Sequence, residues 1–375
     1  MKVRLNSAVS LLPPSDPGRR WTAENLLERH RYQVSDAAAA ALVAAVRPQD
    51  SAELAERLAR PGRPVTFWTR IVDSLLRTGL IVDPAAEEAD PHAAWLTSVR
   101  AAWARYGWRE AAEYHAVTFD YPCLDYTDLK AANAADQGRM RGYQSREADD
   151  DRCKLDHADR PGLPLPETSP ELVTGTAAQV WGERPAGVPL TPDAFRTVLS
   201  LGFGVVGARV PRTDSAPLLL RTSPSGGGRN PSEGYVLVRD VPEVEPGWYH
   251  VTLRPFSLRR LPAEPPDEDA LRRMFPHSVA RYPFRARAIT VLTSVFERNM
   301  YRYREPRTFR TVHMDAGHIA GTMSMAARSL GVAAGIGYCD RAAEIERVLG
   351  LDPMTEGYML TVVLGDGTAV RHARD

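Results

Sequence analysis

The sequence predicts an α+β fold, in which helices surround a mixed sheet and a smaller domain with the outline of a winged helix precedes them. Three observations indicate the part that contains the sheet. A glycine-rich loop separates two apolar runs between Leu218 and Val238. The segment from Ala288 to Ser294 is apolar and rich in β-branched residues, which is typical of a buried strand. A helix is expected from Met314 to Leu330.

The first predicted domain spans residues 1–84 and combines helices with short strands. Its expected elements are a strand in VRLNSAVSLL, helices from Asp36 to Val46, from Ser51 onward and from Phe67 to Thr78, and a strand from Leu80 to Val82. Helix, turn, helix and strand is a winged-helix outline, which is often associated with DNA. The candidate recognition helix offers only Arg70 and Arg77 as basic groups, so we do not expect nucleic acid as a partner.

Residues 85–171 are predicted to form a helical connector followed by a polar linker. A long helix is expected between Pro91 and Asp125. One face of it carries four large residues that we interpret as packing, Trp95, Val99, Trp103 and Tyr106. From Asp120 to Glu171 the chain is polar and contains a proline-rich run, so we expect no separate core there.

The second predicted domain spans residues 172–375. Thr191, Pro192 and Asp193 begin a helix that runs to Gly202. The other expected elements are strands at Tyr235 to Val238, Trp248 to Val251, Ala288 to Ser294 and Met359 to Leu364, and the helix from Met314 to Leu330. Small residues on this helix would let another element, or a partner helix, pack closely against it: Ala316, Gly317, Ala320 and Gly321.

Composition excludes several classes of protein. The chain has 375 residues, with 47 basic and 47 acidic side chains, so no net charge attracts it to nucleic acid. Its 3 cysteines are too few and too scattered for a disulfide framework or a zinc site. No apolar run is long enough to cross a membrane, and the first residues do not resemble a signal peptide. A soluble cytoplasmic protein without a bound metal is therefore expected.

The glycine-rich loop, SPSGGGRN, has the composition of an anion site. Three consecutive glycines allow positive φ angles and close approach of the backbone to a flat or anionic ligand. Four side chains around them can donate hydrogen bonds to phosphate oxygens: Arg221, Ser223, Ser225 and Arg229. The spacing matches neither a dinucleotide-binding motif nor a P-loop, so an ordinary surface loop is the alternative.

Two segments carry a resemblance to a known family. The first is PSGGGRNPSEGYVLV followed by EPGWYHV, and the second is FERNMYRYREPRTFRTVHMDAGHIAGTMSMAARSLGV, from Phe296 to Val332. Together they resemble SagB-type azoline dehydrogenases, flavin enzymes of the nitroreductase fold that act in the biosynthesis of thiazole- and oxazole-containing peptides. The resemblance covers about residues 175–372 and rests on several motifs in the same order.

The resemblance implies a cofactor and partners. In the family, flavin mononucleotide (FMN) lies at a homodimer interface. The positions of this chain that would contact it are Arg221, Ser223, Ser225, Gly226, Arg229, Gly335, Gly337 and Arg371, with Arg184 as a further candidate. The substrate would be a precursor peptide, whose leader the winged-helix domain would bind as an added strand. A cyclodehydratase complex is a further implied partner.

Two departures from the family pattern bear on the chemistry. The family's Lys-Tyr pair is replaced here by Arg302 and Tyr303. Because arginine cannot take up a proton at ordinary pH, we expect Tyr303 to be the base and Arg302 to stabilise its phenolate. Where nitroreductases carry a phosphate-binding arginine signature, this chain has Gln179 to Arg184, and only Arg184 remains as a candidate.

Three functions follow from these observations. The first is FMN-dependent oxidation of thiazoline or oxazoline rings to thiazole or oxazole in a ribosomally synthesised peptide. The second is reduction of a small electrophile with NAD(P)H by the same fold. The third is a non-catalytic peptide-binding scaffold that has lost flavin. Arginines at positions 221, 229 and 371 would have to compensate for the missing signature if flavin is retained.

Overall fold

A computed structural model describes most of the chain. The described residues are 1–16, 18–119, 121–122, 124, 127–148, 153–154, 159–169, 171, 188–209 and 217–366. The chain divides into two compact units, Met1–Cys123 and Leu124–Asp375. Within the described ranges, no helix combines the length and the apolar character that a membrane crossing requires.

The first unit contains short strands and helices in alternation. Its strands are β1 (Lys2–Leu5), β2 (Val9–Leu12), β3 (Trp21–Asn25), β4 (His30–Val34), β5 (Gln49–Asp50) and β6 (Ile81–Val82). Its helices are α1 (Asp36–Ala44), α2 (Ser51–Leu58), α3 (Val65–Arg77), α4 (Pro84–Ala89), α5 (Pro91–Ala104) and α6 (Arg109–Thr118).

The predicted winged-helix-like outline is present in this unit. β1 pairs antiparallel with β5 on one side and β6 on the other. Side chains from α1, α2 and α3, among them Leu42, Leu54 and Trp68, form one buried core with this small sheet. Ser35 and Asp50 cap α1 and α2 with their side-chain oxygens, as their residue types favour.

Three features of the first unit differ from the expectations. VRLNSAVSLL forms two strands in separate sheets, because the Asn6 side chain accepts a hydrogen bond from the Ala8 N–H at 2.8 Å and turns the chain. A second antiparallel sheet, β2-β3-β4, was not expected. The long aromatic helix is two helices, broken near Gly107 (φ 74°), and Tyr106 of its expected packing face is 77% exposed.

The second unit contains a large sheet and its covering helices. Its strands are β7 (Gly162–Pro164), β8 (Val205–Arg209), β9 (Leu218–Arg221), β10 (Ser232–Val238), β11 (Gly247–Leu253), β12 (Phe256–Arg260), β13 (Ala288–Val295), β14 (Ala333–Gly337) and β15 (Glu356–Gly365). Its helices are α7 (Leu129–Gln144), α8 (Pro192–Phe203), α9 (Glu268–Met274), α10 (Pro276–Ala280), α11 (Phe296–Met300), α12 (Thr308–Ser329) and α13 (Ala342–Leu349).

The large sheet has the order β14-β15-β13-β10-β11-β12-β7, and β8 and β9 form a separate hairpin. Helices α8 and α12 share a buried core with one face of the sheet, and α9 and α13 share a second core with the other. The predicted fold class is confirmed. The sheet differs from the expected mixed sheet in that each of its pairings between described strands is antiparallel, and short connections join β10, β11 and β12.

The segment expected to be a linker contributes structure to the second unit. It contains α7, and β7 pairs with β12 through Leu163 and Leu258. The polar composition of α7 reflects a surface helix that buries only Ala132 and Met140. Pro164 is compatible with β7 because this strand lies at the edge of the sheet.

Candidate functional site

The glycine loop and Tyr303 meet in the second unit. Between β9 and β10, residues Gly226–Gly228 form a short helical turn, in which Gly227 has a φ of 62°. A Cβ atom on Gly227 would lie 1.9 Å from the Tyr303 hydroxyl oxygen. Glycine at this position therefore permits both the left-handed backbone and the close approach of the tyrosine. The structure brings the predicted base against the predicted cofactor loop.

An internal carboxylate binds the donors of this loop. Asp315 on α12 accepts a hydrogen bond from the Ser225 hydroxyl at 2.7 Å and from the Gly226 N–H at 3.0 Å. Burial raises the pKa of Asp315, and these two hydrogen bonds oppose the rise. The loop therefore binds an anion, as its glycines predict, but that anion is the carboxylate of Asp315.

The other predicted phosphate donors of the loop also bind protein groups. Ser223 donates to the Gly202 carbonyl at 3.0 Å, and Arg221 donates to two backbone carbonyls at 3.2 and 3.3 Å. Arg229 is buried and donates to the Arg298 carbonyl. Burial lowers the pKa of Arg221 to about 10, with Glu233 opposing the shift. The cavity among Arg221, Ser225 and Asp315 measures about 10 Å³, which is room for roughly one water. This internal cavity is therefore too small for a phosphate group.

Arg302 lies beside Tyr303 and is anchored from its other side. Its guanidinium carbon is 5.3 Å from the centre of the Tyr303 ring, and its Nη2 donates to Asp136 of α7 at 2.6 Å. Burial alone would lower the pKa of Arg302, but its interactions with Tyr303 and Asp136 raise the pKa overall. Arg302 therefore remains a cation.

A cavity of about 750 Å³ adjoins Tyr303. It will be called the aromatic cavity. Its lining residues are Glu147, Phe296, Glu297, Asn299, Met300, Tyr301, Tyr303, Arg304, Glu305, Pro306, Thr308, Phe309, Val312, Pro353 and Met354. Arg304 binds Glu147 through both terminal nitrogens, at 3.1 and 2.5 Å. The volume is in the range of sites that hold a small molecule or a short peptide segment.

A buried ionic network lies behind the loop. Glu233 on β10 accepts hydrogen bonds from Arg298 at 2.6 Å and pairs with His250 Nε2 at 2.9 Å. Arg298 also donates to the Asn230 carbonyl at 2.9 Å, which ties the network to the end of the loop. Burial would raise the pKa of Glu233, but Arg298 and His250 hold it well below its usual range. The carboxylate is therefore ionised at neutral pH and positions Arg298.

A second ion pair adjoins this network. Lys154 forms an ion pair with Glu356 of β15 and donates to the Tyr235 hydroxyl at 2.8 Å. Tyr235 stacks on His250 with ring centres 4.9 Å apart, and Thr293 donates to Glu356 at 2.6 Å. Buried polar contacts therefore connect β10, β11, β13 and β15 on one face of the sheet.

The remaining predicted site residues lie elsewhere. Gly335 and Gly337 are on β14, which is three strands from β10, a separation of roughly 14 Å. The Tyr282 ring occupies the space beside Gly335, and Ser278 and Asp340 occupy the space beside Gly337. Arg184 and Arg371 are outside the described residues, as is the stretch from Gln179 to Arg184.

Sequence reasoning did not single out the acidic residues of this site. Glu233 is one charge inside the apolar strand SEGYVLV, and His250 is one polar group inside GWYHVTL. An ionisable residue in a fully buried strand requires a partner, so these interruptions are the available signal. Asp315 and Asp136 lie on helices whose polar positions give no such signal.

Comparisons with known proteins agree with this fold. A model of the nitroreductase family matches residues 188–366. The trifolitoxin-processing protein TfxB of Rhizobium leguminosarum bv. trifolii is 28% identical over 309 residues, which cover 78% of this chain and 78% of that protein. A protein of Methanocaldococcus jannaschii named as a nitroreductase is 32% identical over 164 residues, which cover 43% of this chain and 76% of that protein. The family resemblance that the motifs predict is confirmed.

Solved structures are also similar to the chain. A protein of Anabaena variabilis named as a nitroreductase is 24% identical with a TM-score of 0.40, covering 60% of this chain and 46% of that chain. A chain of the E. coli microcin synthetase McbBCD complex with truncated pro-MccB17 bound is 18% identical with a TM-score of 0.40, covering 67% of this chain and 99% of that chain. The match thus spans less than half the length of the Anabaena protein.

Proposed function

Because the chain belongs to the nitroreductase family, we propose that it is an oxidoreductase that converts thiazoline or oxazoline rings of a ribosomally synthesised peptide into thiazole or oxazole. The observation that carries this proposal is the contact between the Tyr303 hydroxyl and Gly227. The Tyr303 hydroxyl, which would accept the proton, lies beside the loop that the family resemblance assigns to the cofactor, and this supports the proposal. Similarity to the trifolitoxin-processing protein supports a peptide as the substrate.

Tyr303 would remove the proton in this reaction. Oxidation of an azoline takes a proton from a ring carbon and a hydride, and in the family FMN is the hydride acceptor. The Arg302 guanidinium beside the ring stabilises negative charge on the Tyr303 oxygen, and Asp136 fixes the position of Arg302. The proton goes to Tyr303 because Arg302 has no lone pair to receive it.

The FMN phosphate would need contacts other than the glycine loop. Ser225, Gly226 and Arg229 bind protein groups, and the space among the loop side chains is too small for phosphate. We propose Arg184 and Arg371 as the phosphate contacts. Since the family places FMN at a homodimer interface, residues of both subunits would contact the cofactor.

The proposed partners are a precursor peptide, a cyclodehydratase complex and a second copy of the chain. The first unit has two small antiparallel sheets, and an edge strand such as β4 or β6 can accept a leader peptide as an added strand. A second copy would pack on α12, where Gly317 and Gly321 have no atom within 4 Å of the position of a Cβ.

The visible absorption spectrum of the purified protein tests the proposal. We expect flavin bands that survive incubation with FMN and removal of the unbound cofactor. Arg371→Ala should lower flavin retention, whereas Arg209→Ala, a change of the same type in β8, should leave it unchanged. A colourless protein that takes up no FMN would refute the oxidoreductase proposal.

The second candidate function is a flavin-free peptide-binding subunit, and the Asp315 contact favours it. A carboxylate that occupies the anion-binding donors of the loop repels a phosphate from the same position. If the protein is colourless, binding of an unmodified precursor peptide by the same preparation would support this second function.

A further inference from the structure

The aromatic cavity combines apolar walls with an excess of carboxylates. The aromatic residues Phe296, Tyr301, Tyr303 and Phe309 line it, together with Met300 and Met354. Phe309 and Met300 are 48% and 50% exposed, and Met354 is 81% exposed. Large apolar side chains in contact with solvent around one cavity indicate a binding surface.

The charges on the rim are not balanced. Three carboxylates line the cavity, those of Glu147, Glu297 and Glu305, against the single guanidinium of Arg304. Arg304 is held by Glu147. Glu297 and Glu305 form no ion pair within the part of the chain that the structure describes, so three negative and one positive charge leave a net charge of −2 at the cavity.

We propose that the aromatic cavity binds a lysine or arginine side chain of the substrate peptide. Such a side chain has an apolar stem that packs on methionine and phenylalanine, and a cationic head that the carboxylates attract. The carboxylates of the cavity would repel a ligand side chain that itself carries a carboxylate. Tyr303 is one of the residues that line the cavity.

This inference rests on the proposed function only in taking the substrate to be a peptide. It is tested by binding, which requires neither flavin nor turnover. The probes are two acetylated and amidated peptides without an azoline, identical except for two lysines or two glutamates on either side of one phenylalanine. Isothermal titration calorimetry measures both affinities at about 0.01 M and about 1 M ionic strength, where the Debye length is roughly 30 and 3 Å.

We expect the lysine peptide to bind about tenfold more tightly than the glutamate peptide at low salt, and the preference to shrink at high salt. Combined replacement Glu297→Gln and Glu305→Gln should abolish the preference. The matched control, Glu264→Gln with Asp269→Asn, removes the same charge from two exposed residues that do not line the cavity and should preserve it.

Equal affinities for the two peptides, or a preference that survives in the cavity variant, would overturn the inference. The outcome is separable from that of the proposed function. A colourless protein that prefers the lysine peptide would refute azoline oxidation and retain the cavity assignment. A yellow, active protein that binds the two peptides equally would support azoline oxidation and refute the cavity assignment.

Discussion

Tyr303 is positioned by contacts on two sides, so its hydroxyl can be removed without disturbing its ring. Gly227 contacts the hydroxyl, and Arg302 lies 5.3 Å from the ring centre. The aromatic body of the residue also lines the aromatic cavity. A change to phenylalanine therefore isolates the proton-transfer role from packing.

We expect Tyr303→Phe to lower the rate of ring oxidation by on the order of 10²- to 10⁴-fold, the range that a positioned general base contributes. Peptide affinity should stay within about twofold because the apolar contacts remain. Single-turnover oxidation of an azoline peptide measures the rate. Tyr338→Phe is the control, since Tyr338 is 64% exposed and should tolerate the change. An unchanged rate in Tyr303→Phe would eliminate Tyr303 as the base.

At the residue scale, the sequence predicted the glycine turn better than it predicted which groups its hydrogen-bond donors bind. The consecutive glycines of the loop and Arg302 beside Tyr303 are features that the local sequence displays directly. The binding of Ser225 by Asp315 joins residues 90 positions apart, and neither residue type reveals that contact. Only the packing of α12 against the loop determines which anion the loop binds.

The site depends on strand β10, because this strand places the charged residue Glu233 in the core of the second unit. All seven residues from Ser232 to Val238 are buried. Glu233 among them balances Arg298 and accepts its hydrogen bond at 2.6 Å. Removing one partner of such a pair leaves an uncompensated buried charge, which costs about 3 to 5 kcal/mol.

Glu233→Gln should therefore increase hydrogen exchange of the β10 amides by about a hundredfold or more at neutral pH. The folded-state pKa of Glu233 is lowered, so its stabilisation is present above the unfolded-state value of about 4.3 and is lost as the pH falls toward the folded-state value. The difference in β10 amide exchange between the wild type and the variant should become smaller below about pH 4. Mass spectrometry of the exchange from neutral to acidic pH measures it, with Glu264→Gln as an exposed control. Protection that is equal in both proteins at neutral pH would contradict the role of Glu233.

At the element scale, periodicity and β-branched composition predicted the long elements well. The strand from Ala288 to Val295 lies where the pattern places it, whereas the helix from Thr308 to Ser329 begins six residues before the predicted start at Met314. Short elements such as β7 have no pattern of their own and form only because β12 offers an edge. Strand pairing between distant segments is a tertiary effect that local sequence does not encode.

At the scale of the whole molecule, α12 connects the core, the loop and the surface. Ala316 and Ala320 are buried in the core of the second unit. Met314 and Met325 are 58% and 49% exposed on the same helix. The small residues that the sequence predicts to allow close packing therefore divide between the protein's own core and its exterior.

We expect the protein to be a dimer that is dissociated by Met314→Arg. Gly317 and Gly321 leave open space on the outer face of α12, so the backbone of a partner helix can approach closely there. A charge at Met314 would be buried without a partner in that interface. Light scattering coupled to size exclusion should show the mass fall from twice 41.4 kDa to 41.4 kDa. Val206→Arg, on the 54% exposed Val206 of β8, is the control and should leave the dimer intact. Because the proposed flavin contacts come from two subunits, the monomeric variant should also lose its yellow colour, whereas a dimeric Met314→Arg protein would show that α12 is not the interface.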